Sequence, residues 1–298
     1  MEIKKSGIIT IVGRPNVGKS TLLNALVGEK IAIVSHKPQT TRNRICGIVT
    51  KGDKQFVFTD TPGLNKARNR LGEYMEGVVR ASINDVDAAV LVVEPVPTPG
   101  EQERELIRRI QAIGVPAVLV INKVDTLEQK EKVLEVIAAY QALHDFADIV
   151  PISALKRDGV DELLQVLERF LPEGPELFPQ DMTTDQPEKQ VMAEILREKM
   201  LINLNQEIPH GTAVEITKFS ERDSGIIDCE ATIYCEKANH KGIIIGKHGD
   251  MLKRISTSAR IDMERFMGTK VFLTTWVKVK ENWRDDLMAV QNFGYRDE

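Results

Sequence analysis

The residues Gly13-Arg14-Pro15-Asn16-Val17-Gly18-Lys19-Ser20 have the spacing G-x-x-x-x-G-K-[ST], which suits the binding of a polyphosphate. Glycines let the backbone curl so that its N–H groups, and the start of a helix opening at Thr21, face phosphate oxygens. Lys19 would place positive charge between phosphates, and Ser20 would offer a hydroxyl to Mg²⁺. Asp60-Thr61-Pro62-Gly63 supplies complementary chemistry: a carboxylate able to hold the ion through water, and a Gly63 N–H able to meet a γ-phosphate. Alone, that tetrapeptide reads as a surface turn; behind the first motif it reads as a ligand contact. Asn122-Lys123-Val124-Asp125 would choose the base. Asp125 can accept hydrogen bonds from the N1–H and exocyclic amine of guanine, whereas adenine would leave a buried carboxylate unpaired.

These segments must be held at the ends of regular elements. Short apolar, β-branched runs precede them at Ile8–Val12, Gln55–Thr59 and Val115–Ile121, and further runs lie at Ala88–Val93 and Ile149–Ile152. Amphipathic stretches alternate with the runs: Val133, Val136, Ile137 and Tyr140 share one helical face, as do Val160, Leu163, Leu164, Leu167 and Phe170. This alternation predicts a parallel α/β sheet, with ligands at the carboxyl edge of its strands. Ile45–Thr50 and Gln55–Thr59 are joined by four residues only, too few for a crossover helix, so these two strands should form an antiparallel hairpin.

The composition is 42% hydrophobic and 28% charged, which excludes a disordered or collagen-like chain. The longest apolar runs fall far short of the roughly 20 residues that span a bilayer. MEIKKSGIITIVG lacks the cleavage pattern of a secretory signal, so a cytoplasmic location is expected. Cys46, Cys229 and Cys235 have no CxxC spacing and should be core or strand thiols. The net charge is −4, but the average hides a division. Between Glu236 and Arg284 eleven Lys/Arg face five Asp/Glu, a local excess of six positive charges, which leaves −10 for the rest.

From Leu171 to Gln190 five Pro and Gly residues interrupt a polar stretch, so the predicted division is a nucleotide-binding domain over 1–172, a linker over 173–187 and a second domain over 188–298. The second domain should be α+β: a helix over Glu188–Asn205, strands over Thr212–Phe219 and Ile226–Cys235, a short apolar turn, a helix over Asp250–Phe266 and a strand over Lys270–Val279. Gly246-Lys247-His248-Gly249 stands between that turn and a helix with Leu252, Ile255, Ala259, Met263 and Phe266 at helical spacing. This arrangement resembles the bacterial (type II) KH RNA-binding domain, whose GxxG loop closes on the backbone of single-stranded nucleotides. Lys247 and His248, with Lys241, Lys253 and Arg254 around them, would supply donors and positive charge. Trp276 and Trp283 could stack on bases, or could anchor the terminal strand and a terminal helix.

GRPNVGKS, DTPG and NKVD in this order resemble the Ras-like, translation-factor-related GTPases, a mostly parallel α/β P-loop fold with helices on both faces and one antiparallel edge strand. The resemblance implies that Lys123 lies along the base and that Ser153-Ala154-Leu155 is the last base motif, with the Ala154 N–H meeting guanine O6. With PQTTR, the KH pattern and the ending WVKVKENWR, the whole chain resembles the bacterial Era GTPase family. That implies Lys19, Thr41 and Gly63 as catalytic contacts, and Ser20, Thr41 and Asp60 as Mg²⁺ ligands. It also implies a first switch over Pro38–Arg42, in which Thr40 stands as the alternative to Thr41. The implied partners are GTP and GDP, the 3′ end of 16S rRNA and the 30S subunit in maturation, with a peripheral association at the inner membrane face.

The leading expectation is a GTP-hydrolysing switch that controls RNA binding. The alternatives are an RNA-binding assembly platform holding GTP structurally with negligible turnover, and an ATP-driven RNA remodeller, which Asp125 and the absence of a second helicase-like lobe disfavour. Leu64 occupies the position where Ras-like enzymes carry a water-orienting glutamine, so slow intrinsic hydrolysis is expected. Asn16 resembles an asparagine with which some related GTPases hold K⁺; it reads equally as a turn residue tolerating left-handed geometry.

Overall fold

The computed structural model describes residues 2–37, 39–63, 67, 69–81 and 85–295. The first sheet takes β1 (Lys5–Val12), β2 (Ile45–Lys51), β3 (Lys54–Asp60), β4 (Ala88–Val93), β5 (Ala117–Ile121) and β6 (Asp148–Pro151) in the order β2-β3-β1-β4-β5-β6. Every pair is parallel except β2–β3, which form the expected hairpin with Lys51 opposite Lys54. All residues of β4 and β5 are buried. Helices therefore cover both faces of these central strands, which explains why they read as unbroken apolar runs instead of alternating. The helices of this region are α1 (Lys19–Val27), α2 (Arg70–Ala81), α3 (Glu101–Ile113), α4 (Lys132–Gln141) and α5 (Val160–Leu167). One core cluster joins Leu22, Leu23 and Leu26 of α1 with Leu163, Leu164 and Leu167 of α5 on one face. A second joins Leu106, Ile107 and Ile110 of α3 with Val136 and Tyr140 of α4 on the other.

The stretch expected to be a linker instead packs along the hairpin side of this sheet as far as Asp185. Buried Gln55 accepts from the N–H groups of Leu177 and Phe178 at 2.8 and 3.0 Å and donates to the Phe178 carbonyl at 2.8 Å. Ile48 N–H donates to the Thr183 carbonyl at 2.9 Å, and Thr184 Oγ1 donates to the Cys46 carbonyl at 2.8 Å. Prolines keep the stretch out of a regular ladder, yet a buried amide side chain satisfies its backbone. Composition announces the first fact and hides the second.

The second compact unit runs from Gln186 onward and also takes in Ile33–Thr40 and Ala67–Tyr74. Its elements are α6 (Glu188–Asn203), β7 (Thr212–Glu221), β8 (Ile227–Cys235), α7 (Ala238–Ile245), α8 (Asp250–Met267), β9 (Val271–Val279) and α9 (Leu287–Asn292). The sheet order is β7-β8-β9, antiparallel then parallel. The apolar segment expected as a turn before Gly246 is the helix α7, which buries Ile244. Ile255, Ala259 and Met263 of α8 are buried against the sheet, as their spacing predicts.

The two tryptophans part company. Trp283 is fully buried, donates Nε1–H to the Gly211 carbonyl at 3.0 Å and packs edge-on against Phe293. Trp276, on β9, is 57% exposed. Cys46, Cys229 and Cys235 are buried free thiols, and burial pushes Cys229 up to about 11, so none is poised for reaction.

Candidate functional site

The site is built where β1 ends and α1 begins. Gly18 caps α1 with φ 101°, a left-handed conformation, and gives no side-chain bond to the helix. No acidic residue lies in the first turn, so the N–H groups there are left for an anion. A Cβ on Gly18 would fall 2.3 Å from Asn122 Nδ2, so glycine is required both for the turn and for the approach. Lys19 is buried and donates to the carbonyls of Gly13 and Arg14 at 3.0 and 3.1 Å, folding the loop around its ammonium. Gly63 packs on the same loop: its added Cβ would meet the Pro15 nitrogen at 2.8 Å.

Three oxygens converge beside Lys19. Ser20 Oγ donates to Asp60 Oδ2 at 2.6 Å, Thr41 Oγ1 lies 2.9 Å from Ser20 Oγ, and Thr41 Oγ1 donates to Asp60 Oδ2 at 3.4 Å. The Thr40 hydroxyl is engaged elsewhere, donating to the Lys37 carbonyl at 2.6 Å, so the structure brings Thr41 and not Thr40 to this point. Asp60 is fully buried, and its Oδ1 has no hydrogen-bond partner among the described residues. Burial pushes the Asp60 carboxyl above its ordinary range, opposed by Lys19 and the two hydroxyls. Burial likewise pulls Lys19 down, opposed by Asp60. A buried carboxylate with an orphaned oxygen, flanked by two hydroxyls, fits a hard cation that takes oxygen ligands and keeps waters and phosphates for the remainder. Among the described residues no cluster of three or more His, Cys, Asp or Glu is placed to hold a metal.

The base motif is tied to the phosphate loop by two side chains. Asn122 is buried; its Nδ2 donates to the Val17 carbonyl at 2.9 Å and its Oδ1 accepts from Ala154 N–H at 3.0 Å. Lys123, with φ 62°, donates to the Asn16 carbonyl at 2.7 Å. Asp125 Oδ1 accepts from Ser153 Oγ at 2.7 Å, which orients the carboxylate. Ser153 and Ala154 are buried, whereas Leu155 is 79% exposed and offers only its backbone. Asn16 is exposed in a left-handed conformation with φ 67°. Leu64, expected to stand at the water-orienting position, lies outside the described residues, as does Pro38 of the first switch.

Two acidic residues escaped the sequence reading. Glu94 accepts from Arg14 at 2.9 Å and from Lys123 at 2.5 Å, and buried Glu103 pairs with Arg14 at 2.5 Å. Glu94 follows β4 directly, so the rule that ligand-side residues sit at the carboxyl ends of parallel strands could have found it. Glu103 lies in α3 and gave no such signal.

In the second unit, Gly246 (φ 75°), His248 (φ 53°) and Gly249 (φ 84°) turn the chain between α7 and α8. Lys247 and His248 are exposed at the tip, and Lys241, Lys253 and Arg254 are exposed on the adjoining helices.

A family model described as "50S ribosome-binding GTPase" matches residues 8–123, and a KH domain model matches residues 207–284. GTPase Era of Ruminiclostridium cellulolyticum is 51% identical over 292 residues, 98% of each chain. The chain belongs to the Era family of GTPases. GTPase Era of Clostridioides difficile is 50% identical over 294 residues, covering 98% of this chain and 99% of its own. A crystal structure of Era with MgGDPNP and nucleotides 1506–1542 of 16S ribosomal RNA superposes with a TM-score of 0.94 at 37% identity, covering 99% of this chain and all of that one. An Aquifex aeolicus Era variant bound to GDP·AlF4⁻ gives the same TM-score and identity. As an Era-family member the chain is a GTPase with a KH domain.

Asp125→Asn should weaken guanine nucleotides by about two orders of magnitude and favour xanthine nucleotides, because the amide can donate to the altered base edge. Competition binding with GTP and XTP checks this; an unchanged guanine preference would remove Asp125 from base selection.

Proposed function

We propose that this GTPase binds the 3′ end of 16S rRNA through its KH domain and acts in assembly of the 30S subunit, with the nucleotide state controlling RNA binding. The observation that carries the reading is the meeting of Ser20, Thr41 and Asp60 at the phosphate loop in a chain that also holds an exposed, basic GxxG loop. Ser20 and Thr41 hydroxyls, with Asp60 acting through water, would hold Mg²⁺. Held by these residues, the ion would supply positive charge against the phosphates. Lys19 would exchange its two loop carbonyls for phosphate oxygens, and the Gly63 N–H would meet the γ-phosphate. Asn122 holds the phosphate and base loops in register, and Asp125 selects guanine. With Leu64 following Gly63, no side chain there orients water by hydrogen bonding, and turnover is slow, on the order of 10⁻⁴ to 10⁻³ per second as in Ras without its activator. The site of action is cytoplasmic, with any association at the inner membrane face peripheral; among the described residues no helix is long and apolar enough to cross a membrane.

In the KH loop the better probe is Gly249. A Cβ there meets open space, whereas at Gly246 it would lie 2.9 Å from the Met251 nitrogen and confuse folding with binding. Aspartate tolerates a left-handed backbone better than most residues. Gly249→Asp should therefore lower affinity for a single-stranded 16S rRNA fragment by about tenfold or more, while basal GTP hydrolysis stays within about twofold. Unchanged RNA retention on a filter would make the GxxG only a turn.

Potassium belongs to the same proposal, with Asn16 as the residue that would hold the ion beside the phosphates. Multiple-turnover phosphate release should be faster in K⁺ than in Na⁺, and Asn16→Ala should erase the difference. Equal rates in both salts would remove potassium and leave Asn16 as a turn residue. Absence of turnover even with 30S subunits added would instead favour a structural platform.

A further inference from the structure

A row of four side chains of alternating charge joins the phosphate loop to the base loop. At one end buried Glu103, in the first turn of α3, pairs with Arg14 Nε at 2.5 Å. Arg14 Nη2 donates to Glu94 Oε2 at 2.9 Å, and the other Glu94 oxygen accepts from Lys123 Nζ at 2.5 Å. Lys123 Nζ also donates to the Asn16 carbonyl at 2.7 Å. All of these residues lie within the first compact unit. Two carboxylates answer two cations, so the row as a whole presents no net charge to a polyphosphate. What it supplies is geometry.

The Lys123 stem crosses from the base loop, two residues ahead of Asp125, to the phosphate loop at Asn16. Both ends of the crossing sit in the left-handed region, Lys123 at φ 62° and Asn16 at φ 67°, which residues other than glycine keep only where their surroundings determine it. A ligand that reaches from Asp125 to the phosphate loop runs along this stem. Lysine is among the side chains with the most rotamer freedom to lose. Pinned at its tip, the stem gives up that freedom before a ligand arrives, so binding is spared the cost. The Asn16 carbonyl is a neutral acceptor; Glu94 adds the stronger, charge-assisted one. Arg14 holds the second Glu94 oxygen and Glu103 holds Arg14, so the carboxylate is itself oriented.

We propose that Glu94 is a positioning residue for the guanine nucleotide: acting through Lys123, it keeps that stem stretched along the path from base to phosphates and so slows the release of GDP and GTP alike. The proposal rests on the reading of Lys123 as the residue that lies along the base. It gives Glu94 no part in base selection, which falls to Asp125. It gives Glu94 no part in telling triphosphate from diphosphate either, since its contacts run to Arg14 and Lys123.

The test is the rate at which the full chain, in Mg²⁺, releases a fluorescent GDP and a fluorescent non-hydrolysable GTP analogue. Glu94→Gln keeps the length of the side chain and removes its charge. It should release both nucleotides about fivefold faster or more, with the two factors agreeing within about twofold. Glu94→Asp, which keeps the charge on a shorter side chain, should fall between, and it carries the test if the glutamine variant does not fold. Coupling is the readout that a purely structural role would not give: in a Lys123→Met chain, Glu94→Gln should add nothing further. Unchanged or slower release, a change confined to one nucleotide, or the same acceleration with and without Lys123 would overturn the proposal. Lys123→Met separates the underlying reading. If it leaves both rates where they were, Lys123 does not lie along the base and the role of Glu94 falls with it. If it speeds both while neither Glu94 variant moves them, only the role of Glu94 fails.

Discussion

Everything at the nucleotide site depends on two opposite charges kept out of water. Lys19 and Asp60 are both buried, and burial works against the charged form of each. The ammonium is satisfied by loop carbonyls and one carboxylate oxygen by Ser20 and Thr41, while the other has no hydrogen-bond partner among the described residues. Buried ionic groups of this kind are weak contributors to stability. Their burial makes sense if a polyphosphate and a dication complete the charge balance, an electrostatic demand that Lys19 and Asp60 set on whatever binds the loop.

The architecture supports that demand with a brace. Asn122 bonds the phosphate loop through Val17 and the base loop through Ala154, so that two loops from opposite ends of the first region share one buried amide. Glu94 repeats the device at the surface by holding Arg14 and Lys123 together. Loops placed at the carboxyl ends of rigid buried strands can be held this tightly because the strands themselves do not move. The requirement for glycine at position 18 follows from the same brace, since any side chain there would displace Asn122.

Much of this was legible in the residues because the relevant signals are local. The phosphate loop, the β2–β3 hairpin and the α8 stripe are each determined by spacing within about a dozen residues, and the structure keeps them. What could not be read depends on partners distant in sequence. Pro172 to Pro187 looks like a connector until Gln55, more than a hundred positions away, is seen to satisfy its backbone. Glu103 and the buried run Arg197-Glu198-Lys199 look like exposed helical charge until their partners are placed. The helix α7 was hidden by Gly242 and by a run of isoleucines that fits a turn or a strand equally well.

In the proposed function the nucleotide state, sensed where Ser20, Thr41 and Asp60 meet, controls the affinity of the KH domain for RNA. Such coupling is reciprocal, so a triphosphate that changes RNA affinity is itself bound with an affinity that RNA changes by the same factor. The most direct measurement is the dissociation constant of the full chain for a single-stranded fragment from the 3′ end of 16S rRNA, taken in Mg·GDP and in a non-hydrolysable Mg·GTP analogue. The account predicts constants that differ by about fivefold or more; identical constants would contradict it.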